Sequence, residues 1–221
     1  MAFEKTTAFL KALKSHNNKE WFDKNKTKYL EAKEEFDGFV EGLIKQISKF
    51  DKQIKPDMKA KDCVFRIYND VRFSKDKTPY KTHFGAHFTP GGKNSGIAGY
   101  YMHFQPGGLF IAGGNWRPEP PQLSAIRQEI DYNGDKLMKI MKAKPFSKYY
   151  DGLSDEDKLK TVPKGYDKEH KHIELLKNRS FVVYHEISDS KLKGKEFEKT
   201  VIDGYKAMLP FLGFLREAAD K

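Results

Sequence analysis

The chain has 221 residues, 38% of them hydrophobic, which is enough to bury a sizeable core and argues against disorder. Its formal net charge of +10 attracts anionic partners more readily than cationic ones. The single cysteine, Cys63, excludes an intramolecular disulfide and a cysteine-rich zinc site, and no apolar run approaches the ~20 residues that span a bilayer.

The first residues, MAFEKTTAFL, lack the basic start and long apolar stretch of a signal peptide. No internal repeat and no low-complexity linker divides the chain. We therefore expect a cytoplasmic protein that folds as a single domain over residues 1–221, with no membrane contact.

Residues 4–50 are predicted to form the N-terminal helices. Apolar residues recur there at spacings of three and four, first as Phe9, Leu10 and Leu13 and then from Trp21 to Ile47. An asparagine in the intervening SHNN is suited to cap the second helical stretch. The aromatic stripe is more typical of a core than of a cofactor site.

The hydrophobic period changes to two between residues 63 and 117, which predicts a β-meander. The strand-like runs are CVFRIYNDVRFS, YKTHFGAHF, GIAGYYMHF and LFIAGGNW. Glycine-rich turns separate the later runs, and the connections are shorter than the dozen or more residues that a parallel crossover needs. We therefore expect an antiparallel sheet.

Residues 119–188 are predicted to contain further short helices and a final strand. The sequence RPEPP suits a helix start, because proline is tolerated in the first turn, and QLSAIRQEI and GDKLMKIMKA follow as two helical stretches. The run SFVVYHEI is a strand that can join the sheet, and residues 195–219 form the C-terminal helix. This pattern predicts an α+β fold with helices packed on one face of the sheet.

Alternation along each strand divides the meander into two faces. Phe65, Ile67, Val71 and Phe73 of the first strand belong to the apolar face, as do alternate residues of the next two strands. The polar face collects Arg66, Tyr68, Asp70, Arg72, Lys81, His83, His87, Tyr101 and His103. A turn centred near Lys93 would place His83 directly opposite His103.

Two interpretations of the polar face remain open. An antiparallel sheet commonly exposes one polar face to water, so these side chains can serve solvation alone. Alternatively, RPEPP or the 145–180 segment covers part of the face and forms a basic pocket for a small anionic or phosphorylated ligand. In that case the ligand-binding residues are Arg66, Tyr68, Arg72, Lys77, Lys81 and Tyr101. The candidates for proton transfer, if the protein is an enzyme, are His83, His103 and Asp70.

Other familiar chemistry is not indicated. The chain contains no GxSxG, GxxxxGK[ST] or GxGxxG sequence, so we predict no cofactor. In a strand His83 and His87 are about 13 Å apart, too far to share a metal ion, and we predict no metal site. His170 and His172, in KEHKHIE, are assigned to a surface turn.

A non-catalytic binding module for nucleic acid or a protein partner is the alternative function. It would use Tyr68, Tyr80, Tyr101 and Trp116 as stacking surfaces beside the basic residues. Nucleic acid is not favoured, because acidic residues interrupt the lysines along the whole chain. The sequence does not predict an oligomeric state.

Three blocks of the sequence resemble one family. They are FRIYNDVRFSKDKTPYKTHFGAHF, GYYMHFQPGGLFIAGGNWRP and VPKGYDKEHKHIELLKNRSF. They are similar to the uncharacterised bacterial family of domain of unknown function 2461, and the likeness extends over almost the whole chain. The resemblance implies a single cytosolic domain, and it implies no settled activity, substrate or cofactor. This chain has Asn69 where FRIYRD is expected, so no cation is present at that position.

Overall fold

The structure is a computed structural model that describes residues 3–72, 74–192 and 195–219. Within these ranges the chain forms eight α-helices and one four-stranded antiparallel sheet, which confirms the predicted α+β class. The helices are α1 (Glu4–Ser15), α2 (Lys19–Lys24), α3 (Lys26–Phe50), α4 (Ala60–Cys63), α5 (Pro120–Lys142), α6 (Lys144–Ser147), α7 (Ile173–Leu176) and α8 (Lys195–Ala219).

The sheet consists of β1 (Phe84–Phe88), β2 (Gly99–Phe104), β3 (Phe110–Asn115) and β4 (Phe181–Glu186), in that spatial order. Every neighbouring pair is antiparallel. The strand predicted in SFVVYHEI therefore joins the sheet as β4, beside β3, after an excursion through three helices.

Helices cover one face of the sheet. α3 and α8 contact the sheet and each other, α1 packs on α3, and α5 packs on α8. The alternation in β1 and β2 places the same residues in this core that the sequence predicts, namely Phe84, Ala86, Phe88, Ala98, Tyr100, Met102 and Phe104. Local alternation is sufficient here because strand side chains must point to opposite faces.

The helix boundaries follow ordinary capping chemistry. The Asn18 side chain accepts a hydrogen bond from the Trp21 backbone N–H at the start of α2, so the predicted asparagine cap is present. Pro120 occupies the first turn of α5. The two short helices predicted after RPEPP are two parts of α5, joined at Asn133, whose φ of −126° and ψ of 24° are not helical.

The first predicted strand, in residues 63–74, is wrong. α4 ends at Cys63, and the next residues make two isolated bridges, Val64 with Ala86 and Tyr68 with Tyr80. These two bridges define a hairpin in which the four residue steps from Val64 to Tyr68 lie opposite the six steps from Tyr80 to Ala86. The two extra residues interrupt the ladder and prevent a continuous strand.

The interruption also overturns the predicted faces of this segment. Ile67 is buried in the core as predicted, but Phe65 lies over the opposite face of the sheet, with its ring centre 6.4 Å from that of Tyr101. Val71 is half-buried, and Phe73 lies outside the described residues. The alternation of side chains does not predict the faces here, because it assumes an unbroken strand.

The register of β1 and β2 differs from the prediction by two residues. His103 pairs with Gly85, so the reversal is centred on Asn94 and not on Lys93. The connection is a long loop in which Gly91, Gly92 and Gly96 have positive φ, and sequence alone does not fix its centre. Because the shift is even, His83 and His103 remain on the same face.

In the described part of the chain, no helix has both the length and the apolar character needed to cross a bilayer.

Candidate functional site

The face of the sheet opposite the helices carries a concave space of about 810 Å³, which we call the sheet groove. β2, β3 and β4 form its floor, and three other parts of the chain form its walls: Phe65, the loop after β1, and the segment around Ser154. The size falls within the range of roughly 300–1,000 Å³ that is usual for small-molecule sites.

Aromatic side chains surround a floor of small residues. The rings that line the groove are Phe65, Tyr101, Phe110, Trp116 and Tyr184. The floor is formed in part by two small residues, Ala112 and Gly114, which leave space above the sheet. Ala112 pairs with Tyr101 of β2 on one side and with Tyr184 of β4 on the other. Gly114 has a φ of +130°, and a Cβ there would lie 1.8 Å from the Phe181 carbonyl oxygen, so a larger residue cannot occupy this position without moving β4.

Two of these rings are largely exposed. Trp116 and Tyr184 retain 54% and 50% of their accessible surface, and both line the same concave surface. Exposed apolar patches of this kind mark surfaces that bind another molecule.

The backbone at the end of β3 holds Trp116 in place. Arg117 has a φ of +47°, a left-handed conformation that residues other than glycine seldom adopt. Its N–H donates to the Ser180 hydroxyl at 2.9 Å, and its guanidinium lies 5.3 Å from the Trp116 ring centre. Strain of this kind persists where the surroundings impose it, and it concentrates at functional sites.

The groove is mixed in charge and not uniformly basic. Lys93 and His87 line one side, whereas Glu156 and Glu186 line the other. The Lys93 ammonium donates to the Lys61 carbonyl oxygen. The lining of the groove is therefore not purely basic, and the sequence did not show that Glu156 and Glu186 would meet here; the basic pocket expected from the sequence stays a prediction.

His83 and His103 form a contact at the β1 side of the open face. Their ring centres are 4.1 Å apart, and His103 also stacks on Phe110 at 4.5 Å. The Tyr101 hydroxyl lies 3.2 Å from His103 Nδ1, and Gln105 Oε1 lies 3.3 Å from His103 Nε2. A neutral His103 satisfies both neighbours by accepting at Nδ1 and donating at Nε2.

Both histidines are held neutral near pH 7. Burial, then the neighbouring His103 and Lys81, lower the pKa of His83 to about 4. Burial also lowers the pKa of His103, and it raises the pKa of Tyr101 to about 12. Both rings are therefore unprotonated near pH 7, and the low pKa makes His83 a weak base, whereas the Tyr101 hydroxyl stays protonated.

The two predicted ligand-binding lysines hold their own loop together. Lys81 Nζ donates to the carbonyl oxygens of Arg66 and Tyr68, at 3.0 and 2.8 Å, and Lys77 Nζ donates to that of Val71 at 2.9 Å. Burial and the charge of Arg66 lower the pKa of Lys81. These hydrogen bonds link the two sides of the hairpin, where regular hydrogen bonds between strands are missing.

The remaining predicted residues are dispersed. Asp70 and Arg72 form an exposed ion pair through two hydrogen bonds, and Arg72, followed by Arg66, lowers the pKa of Asp70. Tyr68 lies beside α2, with its ring centre 5.9 Å from that of Phe22. The structure thus brings His83, His103 and Tyr101 together, and it places Tyr68 and the Asp70–Arg72 pair elsewhere.

Several groove residues were not predicted as site residues. Phe110, Tyr184 and Glu186 come from β3 and β4, and Ser154 and Glu156 come from the 145–180 segment that the sequence proposed as a cover. Alternation in β4 placed Tyr184 opposite buried Val183, and this signal was available from the sequence.

Histidines and acids elsewhere make no metal cluster: among the described residues, no three His, Cys, Asp or Glu side chains are arranged to hold an ion. His170 and His172 instead contact Asp131 and Asp135 of α5, at 3.0 and 3.3 Å. They attach the 160–175 segment to that helix.

Comparison with known proteins gives one result. No curated protein and no solved structure matches the chain. The family model described as conserved hypothetical protein (DUF2461) matches residues 5–214, which is nearly the whole chain, and the protein therefore belongs to this family.

Proposed function

We propose that the protein binds a small organic anion whose planar, apolar part lies in the sheet groove. The observation that carries the proposal is the combination of an uncovered concave surface with two exposed aromatic rings, Trp116 and Tyr184, among the residues that line it. Stacking on such rings contributes roughly 1–3 kcal/mol per ring in comparable sites. The net charge of +10 supports an anionic ligand through long-range attraction.

The rigidity of the groove supports a ligand-binding role. Arg117 and Ser180 fix the backbone at Trp116, and the floor consists of paired strands. A site whose backbone is already ordered loses less conformational entropy on binding than a flexible loop does.

A cytoplasmic location remains our prediction from the sequence.

If the protein is an enzyme, we propose the His83–His103 pair as its proton acceptor. Both rings are neutral near pH 7 and lie on the open face of the sheet, and a bound anion beside His83 would raise its low pKa toward the range in which a general base works. Asp70 is the third sequence-based candidate, and its carboxylate is paired with Arg72.

Nucleic acid or a protein is the alternative ligand. Aromatic side chains on an open antiparallel sheet can stack bases, and Tyr101 and Trp116 meet that description. However, Tyr80 is buried and stacks on Phe22 at 4.0 Å, so it offers no free ring face. Glu156 and Glu186 also repel a polyanion from the groove.

The experiment is a fluorescence titration with anilinonaphthalene sulfonate, an anionic dye with a planar ring system. We expect saturable binding to one site. Trp116→Ala and Tyr184→Ala should each weaken it by about tenfold, the equivalent of 1.4 kcal/mol. The matched control is Tyr132→Ala, which removes a ring that is 73% exposed on α5, away from the groove.

The proposal is wrong if the dye does not saturate a single site, or if both groove variants bind it as the wild type does while thermal unfolding shows them folded. A generic oligonucleotide that binds with strong salt dependence, and is lost in Trp116→Ala, would favour the alternative.

A further inference from the structure

A buried carboxylate beside the groove holds two exposed arginines. The Asp157 side chain is only 4% exposed, and it accepts hydrogen bonds from Ser180 Oγ at 3.0 Å, from Arg117 Nε at 3.4 Å and from Arg179 Nη2. Burial opposes its ionisation, but Ser180 and Arg179 outweigh this effect, so the pKa of Asp157 is lowered. The carboxylate is therefore ionised at neutral pH and orients both guanidinium groups.

The positive charge of the two arginines exceeds the negative charge of the Asp157 carboxylate. The side chains of Arg117 and Arg179 are 68% and 53% exposed, so both reach solvent as well as the carboxylate. A third arginine, Arg127, lies close enough to Arg179 to interact with it electrostatically, and it donates to the carbonyl oxygens of Leu176 and Asn178. Even with Glu156 counted, the cluster keeps a positive charge.

The cluster stands at the end of the groove where β3 stops. Arg117 follows Trp116 directly, and its guanidinium lies against that ring. Asp157 follows Glu156, which lines the groove. A molecule lying on Trp116 would therefore be close to the Arg117 guanidinium, and Arg179 contacts the same Asp157 carboxylate as Arg117.

The arrangement is preorganised. The Arg179 N–H donates to the Asp157 carbonyl oxygen at 3.0 Å, and Lys158 pairs with Asn178, so the two segments that carry the cluster are joined through their backbones. Arg117 is fixed by its own backbone hydrogen bond to Ser180. Guanidinium groups held in this way bind phosphate or carboxylate with little loss of side-chain freedom.

We propose that Arg117 and Arg179 bind the anionic group of the ligand, a phosphate or a carboxylate, while its aromatic or heterocyclic part lies on Trp116 in the sheet groove. This inference rests on the proposed function and locates its charged contact. It differs from the position that the sequence favours, where Lys77, Lys81 and Arg72 already donate to carbonyl oxygens or to Asp70.

The test compares two dyes with the same rings, anilinonaphthalene sulfonate and its uncharged relative phenylnaphthylamine. Wild type should bind the sulfonate at least tenfold more tightly. Arg117→Gln and Arg179→Gln should each lower sulfonate affinity by about tenfold to a hundredfold and leave the uncharged dye unchanged, since only charge-assisted hydrogen bonds are lost. Inorganic phosphate should displace the sulfonate dye alone.

The control is the double variant Arg66→Gln with Arg72→Gln, which removes two exposed arginines from the sequence-predicted position and should leave both affinities unchanged. Glu156 is exposed, so Glu156→Gln should leave folding intact. Because it removes a negative charge from the lining of the groove, it should tighten sulfonate binding severalfold. This variant keeps the test decisive if Arg179→Gln unfolds the protein by removing one of the partners of the buried Asp157 carboxylate.

The outcomes separate the two proposals. If neither dye binds, the proposed function fails. If both dyes bind equally well in the groove, or if only the Arg66 and Arg72 double variant loses the sulfonate preference, the groove stands and the assignment of Arg117 and Arg179 is overturned.

Discussion

Replacing Asp51 by asparagine removes the negative charge from a buried ion pair that joins three elements. Asp51 is the C-cap residue that follows α3, and its Oδ2 accepts hydrogen bonds from Arg216 Nη1 of α8 at 2.8 Å and from the Tyr100 hydroxyl of β2 at 3.0 Å. The Arg216 and Asp51 side chains are 4% and 3% exposed. Arg216 also donates through Nε to the Ala98 carbonyl oxygen at 2.9 Å.

The expected loss in the free energy of unfolding for Asp51→Asn is about 3–5 kcal/mol, because the charge of Arg216 stays buried without its counter-charge. That is a large part of the roughly 5–15 kcal/mol that stabilises a typical domain. Tyr100→Phe removes one hydrogen bond to a charged acceptor and should cost less, about 1.5–3 kcal/mol.

Urea unfolding followed by circular dichroism measures these losses. Asp203→Asn is the matched control, because it breaks a partly exposed ion pair with Lys199 on α8, the helix that carries Arg216, and should cost at most about 1 kcal/mol. The double variant Asp51→Asn with Arg216→Met should be less destabilised than the two single losses combined, since it removes both buried charges. Additive losses, or an Asp51→Asn loss no larger than that of the control, would refute the reasoning.

Three further predictions concern the open face and the core. The pKa of His83 is 6.5 in the unfolded chain and about 4 in the folded protein, so its contribution to the free energy of unfolding is fully present above pH 6.5. This contribution falls by about 3 kcal/mol as the pH drops to 4, because the unfolded chain binds the proton first. His83→Gln should flatten this pH dependence in urea titrations. Gly85→Ala places a Cβ 2.7 Å from the Tyr101 hydroxyl and should cost about 1–3 kcal/mol, whereas Gly42→Ala, with no atom within 4 Å, should stabilise α3 by about 0.5–1 kcal/mol; thermal unfolding of the two variants checks both signs. Cys63 is buried, and burial raises its pKa to about 12, so its thiol should resist iodoacetamide in the native protein and react in denaturant; rapid native labelling by mass spectrometry would contradict this.

The sequence was informative wherever a property depends on near neighbours in the chain. The helical spacing predicted the N-terminal helices, and alternation predicted the buried residues of β1 and β2, because both periods follow from backbone geometry alone. The contact between His83 and His103 was also anticipated, although the pairing was displaced by two residues.

The sequence misled where pairing was irregular. Residues 63–74 alternate as a strand would, but the bridges at Val64 and Tyr68 leave two unmatched residues on the other side of the hairpin. Consequently Phe65 lies over the open face, and the ammonium groups of Lys77 and Lys81 bind carbonyl oxygens of their own loop. A bulge depends on tertiary packing and leaves no periodic signal.

By itself, then, the sequence determined the α+β class, the helical and strand periods, the apolar faces of β1 and β2 and the basic character of the protein. Only the tertiary structure decided what the other face carries. Trp116, Ser154 and Tyr184 are far apart in the chain and meet because β4 returns to pair with β3, and Arg117 and Arg179 meet because both contact Asp157. Such contacts depend on long-range pairing, which hydrophobic period does not encode.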